Sequence, residues 1–210
     1  MKQRRIHPAW IAAGITWFTL VSSAGYRSAP SVLIVPLEDA FGWSRSQIAL
    51  AISVNILLYG LTAPFAAALM ERFTVRKVVM SALAAVSLGA FLTIFMNKPW
   101  HLILLWGVVV GIGTGSMALV FAATIASRWF MQRRGLVVGA LTAAAAAGQL
   151  VFLPLLSKLA MDHGWKSVSI TIAASAAIVI PLIWWGLNEQ PQDIGHKPYG
   201  APEDWVAPEK

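Results

Sequence analysis

The chain has 210 residues, of which 58% are hydrophobic and only 12% are charged, with a formal net charge of +7 and no cysteine. That balance excludes an ordinary soluble domain and leaves neither a disulfide nor a thiolate metal site. The positive charge is scattered rather than gathered in one stripe, which argues against nucleic acid as a partner.

Six apolar segments, at roughly 9–36, 46–70, 77–97, 101–127, 135–158 and 166–187, fill almost all of the chain. Each is near the ~20 residues that cross a bilayer at 1.5 Å per residue. The reading is an all-α membrane protein, a six-transmembrane-helix bundle over 9–188. A basic cytoplasmic leader (1–8) precedes it, and a Pro-, Gly- and acid-rich linker or tail (189–210) follows. The first segment is too long for the apolar core of a signal peptide and lacks a cleavage motif.

Charge placement gives the orientation. Lys2, Arg4, Arg5, Arg72, Arg76, Lys77, Arg128, Arg133 and Arg134 flank one side of the segments, and Arg45, Lys98, Lys158 and Lys166 the other. The positive-inside rule then puts both termini in the cytoplasm of a multi-pass plasma-membrane protein. Trp10, Trp43, Trp100, Trp129, Trp165, Trp184 and Trp185 fall at segment ends, as an interfacial aromatic belt requires.

In chain order, the first segment carries Arg27, the one ionisable residue well inside a span, roughly 13 Å below the outer end of its helix if that end is Pro36. Charge at that depth is costly unless it pairs or faces water, so an intramembrane Arg reads as a site. A guanidinium holds a carboxylate through two parallel hydrogen bonds, which makes Arg27 a candidate anion site; a side chain snorkelling to the headgroups is the plainer alternative. Tyr26, Asn55, Tyr59 and Gln149 are the polar residues that could line a cavity with it. Asn55 and Tyr59, four apart, share a helix face. Each could equally make a modest interhelical hydrogen bond.

After the second segment, Glu71, Arg72, Arg76 and Lys77 form a dense charge cluster, read as a switchable salt-bridge gate or as plain positive-inside charge. Gly107, Gly111 and Gly115 in segment four, and Gly135, Gly139 and Gly148 in segment five, let helices approach closely. Pro30, Pro64, Pro154 and Pro181 permit bends in four spans. The turns Leu69–Val78 and Leu159–Val168 echo one another about 90 residues apart on opposite sides, as an inverted three-plus-three repeat would have it; short polar loops alone give the same look.

Catalysis is not supported. Segment four reads Gly113-Thr114-Gly115-Ser116-Met117, which does not fit the Gly-x-Ser-Gly nucleophile of rhomboid-type proteases. His7, His101, His163 and His196 lie at ends or in loops, with no metal-ligand spacing. No cofactor is called for.

The stretch Ala67-Ala68-Leu69-Met70-Glu71-Arg72-Phe73-Thr74-Val75-Arg76-Lys77 resembles the loop 2–3 motif of the major facilitator superfamily, with Ala67, Glu71 and Thr74 departing from its Gly, Asp and Gly. Pro36–Arg45, Arg128–Gly139 and Pro191–Gly200 are similar to stretches of bacterial monocarboxylate-porter and oxalate/formate-antiporter relatives. Segment five lacks the Gly-Pro of drug/proton antiporters. The resemblance implies one half of a twelve-helix fold, the N-terminal one, moving a small organic anion such as a monocarboxylate across the bacterial cytoplasmic membrane by symport or antiport. Arg27 would take the anion and the missing C-terminal or partner half would supply the rest. Protons are the coupling partner the family suggests, although no acid lies within the six segments. The alternative is a truncated or stand-alone six-helix module that does not transport without a partner half.

Overall fold

The computed structural model describes residues 7–117 and 119–207. Up to Gly186 the described chain is helices joined by short loops, and one isolated β-bridge pairs Phe130 with Tyr199. The helices are α1 (Pro8–Phe41), α2 (Arg45–Arg72), α3 (Val75–Leu92, continued as a 3₁₀ turn over Thr93–Phe95), α4 (Pro99–Leu102), α5 (Gly111–Ser116), α6 (Leu119–Trp129), α7 (Arg134–His163) and α8 (Trp165–Gly186). A π-helical stretch, Ile103–Val110, joins α4 to α5. Pro99–Trp129 counts as one span, and five such spans, all but α1, are long and apolar enough to cross a membrane. α1 has the length. Its middle carries Ser22, Ser23, Tyr26, Arg27 and Ser28.

The ends are set by local chemistry. His7 caps α1 by accepting the Ala9 N–H on Nδ1 at 3.2 Å, with Pro8 in the first turn. Gly42, at φ 67°, ends α1 in the left-handed conformation that needs no Cβ, and its N–H donates to the Glu38 carbonyl. Ser44 and Gln47 form a reciprocal capping box at the start of α2. The rods extend a few residues beyond the apolar segments because these caps, not hydropathy, decide where a helix stops. α1, α2, α7 and α8 run through their prolines without a break.

Close approach depends on missing side chains. Gly107, Gly111 and Gly115 lie against the backbone of Ala51, Asn55 and Tyr59, so both helices meet along a four-residue repeat. At Gly148 an added Cβ would overlap the Val21 carbonyl of α1. Gly135 and Gly139 have nothing within 4 Å, so only one end of the α7 stripe is a packing surface. α3 is tied to α8 by Ser87 Oγ donating to the Ala173 carbonyl at 2.9 Å and by Thr93 Oγ1 donating to Ser169 Oγ at 3.0 Å.

The segment after α8 folds back. Tyr199 accepts the N–H of Met131 and of Gln132 (3.0 and 3.2 Å) on its carbonyl, and its own N–H donates to the Trp129 carbonyl at 2.8 Å. Its ring, with those of His7, Trp10 and Phe130, closes a cluster of edge-to-face and tilted contacts at 5.3–5.8 Å between centroids. Trp129 is thereby 1% exposed and Trp165 is buried too, so neither can serve the expected aromatic belt, whereas Trp100, Trp184 and Trp185 are exposed.

Candidate functional site

Arg27 leaves α1 at mid-length. Because α1 runs on to Phe41, the residue lies about 21 Å from that end rather than near it. Its guanidinium sits 4.7 Å above the Tyr59 ring of α2, a cation–π contact. No carboxylate is within ion-pair distance of Arg27 among the described residues. Arg27 and Tyr59 line a cavity of about 200 Å³, walled by Ser23 and Ala24 of α1, Met117, Ala122 of α6 and Leu141, Thr142 of α7. The Thr142 hydroxyl is already bonded to the Val138 carbonyl at 2.8 Å. The other polar residues of the lining are Arg27, Tyr59 and Ser23. A pocket with one unpaired cation, an aromatic wall and otherwise apolar sides suits a small anion whose remainder is apolar.

The other three polar residues named with Arg27 are placed elsewhere. Tyr26 is fully buried on an adjacent face of α1, its hydroxyl beside Ser22 and Ser175 but short of a formed hydrogen bond. Neighbours in sequence on a helix point about 100° apart, so Tyr26 and Arg27 do not share a pocket. Asn55 is 3% exposed, and its amide donates to the Trp106 carbonyl at 2.8 Å, in the π-helical stretch. The glycine ladder holds that carbonyl close enough to take it. Gln149 is half-buried on α7 and does not line the cavity. Ser23 and Thr142 were not singled out from sequence, although Ser23 is four residues before Arg27 and so on its face.

At the charged end, Glu71 is exposed and makes no ion pair among the described residues. Arg72 stacks over Phe73 (5.6 Å), and Arg76 over Trp184 (5.1 Å) while donating to the Trp184 carbonyl at 3.3 Å. The acid that closes this end is Glu189: its carboxylate accepts the Val75 N–H at the start of α3 (3.0 and 2.9 Å) and the Arg128 guanidinium at the end of α6. It neutralises two positive ends at once, the α3 N-terminus and an arginine. Glu189 lies 114 residues from Val75, so no local pattern could have signalled the contact. No group of histidines and carboxylates able to hold a metal occurs among the described residues.

Five helices long and apolar enough to cross a bilayer are the build of a multi-pass membrane protein. The match to the Major Facilitator Superfamily model spans residues 16–207, and the chain belongs to that family of multi-pass membrane transporters, not to an enzyme class. It is similar to the MFS-type transporter YcxA of Bacillus subtilis strain 168, at 29% identity over 87% of this chain and 45% of that protein. It is also similar to human monocarboxylate transporter 14, at 26% identity over 90% of this chain and 38% of the relative. Its fold matches the proton:xylose symporter XylE bound to 6-bromo-6-deoxy-D-glucose with a TM-score of 0.74 at 14% identity, over 88% of this chain and 46% of that one. The chain spans less than half the length of these relatives.

Proposed function

We propose that this chain is the N-terminal half of a transporter that moves a small organic anion, monocarboxylate-like in size and charge, by alternating access across the bacterial cytoplasmic membrane. The observation that carries the reading is Arg27, set deep along α1 over Tyr59, facing a cavity and lacking an acidic partner among the described residues. Charge kept at such depth without a counter-ion is ready for an anion that arrives with the substrate. The monocarboxylate transporters among the relatives support the substrate class.

Six crossings, arranged as an inverted three-plus-three repeat, accompany this reading. His7, before α1, and Tyr199, after α8, touch at 5.4 Å between ring centroids. Ends that meet lie at one face of the membrane, so the number of crossings is even, and α1 is the sixth beside the five apolar rods. The positive-inside excess makes that face cytoplasmic. There Glu189 with Arg128 holds the bundle end together, while Glu71, Arg72 and Lys77 stand ready to meet a second half and gate the path.

The test is uptake of small monocarboxylates by the full-length transporter in cells. Arg27→Ala should cut uptake at least about a hundredfold, the equivalent of losing ~3 kcal/mol of charge-assisted hydrogen bonding, with membrane insertion unchanged. Arg27→Lys keeps the charge but not the fork, and should fall between. Uptake by Arg27→Ala equal to wild type would overturn the assignment.

A further inference from the structure

A second cavity, about 480 Å³ and open to the outside, lies between the charged end of α2 and the first three turns of α3, with α5 as its floor. The transport reading uses only charges at its mouth, Arg72 and Lys77, and gives its apolar walls no occupant. Its walls are apolar and in part exposed: Leu69 on α2 and Phe73 just after it, Ala82 and Ala85 on α3, Ile112 on α5. The two hydroxyls that line it make no demand on an occupant, because Ser81 donates to the Val78 carbonyl and Ser116 to the Ile112 carbonyl, both at 2.9 Å. The mouth is cationic. Lys77 lines it, and Arg72 stacks on Phe73, itself a wall residue. Of the other charges there, Arg76 is held by Trp184 and Glu189 by Arg128, which leaves Lys77 and Arg72 beside Glu71 among the described residues.

We propose that this groove seats an anionic phospholipid, its phosphate at Lys77 and one acyl chain lying along α3. The dimensions fit one leaflet. From Lys77 to Ala85 is eight residues, about 12 Å of helix, against ~15 Å for half of the hydrocarbon core. A polar, charged mouth over a dry wall of this depth is matched by a headgroup and its chain, and a basic cluster beside a span attracts anionic lipid. The site stands whether or not Arg27 binds an anion, since the two cavities share no residue.

The test uses the purified full chain in detergent, with dioleoyl-phosphatidylglycerol and dioleoyl-phosphatidylcholine as probes and retained lipid read by native mass spectrometry. Phosphatidylglycerol should be retained about fivefold better, the worth of one lysine near an anionic headgroup, and Lys77→Gln should erase that preference. Ala85→Trp, which fills the groove, should lower retention of both lipids. Lys77 is exposed, so its variant decides the matter even if Ala85→Trp fails to fold. No preference in the wild-type protein, or a preference that survives Lys77→Gln, overturns the proposal. So does a photoreactive residue at Ala85 that cross-links in cell membranes to a polypeptide rather than to lipid.

Discussion

At the scale of single residues, a polar side chain in a membrane helix is either a packing device or an exposed tool, and hydrogen bonds separate the two. Asn55 is the first kind: its amide takes a carbonyl from the π-helical stretch of the neighbouring rod. Asn55→Leu should lower stability by about 1 kcal/mol, within the range measured for interhelical bonds in membranes, and should speed amide exchange across Ile103–Val110. Gln149→Leu should change neither, because Gln149 makes no such bond among the described residues; thermal unfolding in detergent with hydrogen exchange compares the pair. Arg27 was legible from sequence because charge is rare inside a span, and Tyr59 from its polarity. Their pairing was not, since it depends on how α1 and α2 are rotated against one another. For the same reason Tyr26, adjacent in sequence, turns away into the core.

At the scale of the helices, the glycines show what spacing can and cannot tell. Two stripes with the same four-residue repeat behave differently. The Gly107–Gly111–Gly115 face is pressed on α2, whereas Gly135 and Gly139 look into open space and only Gly148 meets a neighbour. Gly148→Ala forces α1 and α7 apart and should cost about 1–3 kcal/mol of unfolding free energy. Gly139→Ala should be neutral or stabilise by up to ~1 kcal/mol, because alanine favours helix and meets nothing there. Unfolding temperatures of the two variants check this, and equal losses would contradict the packing described. The rods themselves were readable from composition to within a few residues. What composition left out was the fine structure of the fourth rod, where a π-helical stretch interrupts a run of apolar residues that looks uniform.

At the scale of the molecule, the segment from Glu189 onward knits the charged end. Its composition reads as a linker, yet Glu189 and Tyr199 dock it on α3, α6 and the loop before α7. Burial, with His196 nearby, holds the His7 imidazole below its usual 6.5, and Tyr199 is the other titratable group packed on it. The neutral ring is needed to accept the Ala9 N–H. A histidine whose folded value is lowered contributes stability above 6.5 and loses it as the pH falls through the lower value. Protection of the Tyr199 amide from hydrogen exchange, corrected for intrinsic rate, should therefore weaken as the pH drops from about 7.5 to about 5.5. His7→Asn, which can still cap but does not titrate, should flatten that dependence.

The same docking brings the first turn of α1 and residue 199 into one aromatic knot. His7 and Tyr199, at opposite ends of the bundle's sequence, therefore mark a single spot on its surface. Two fluorophores attached there would report on each other from the outset, and a short covalent staple across the gap would close the chain into a ring without bending a helix.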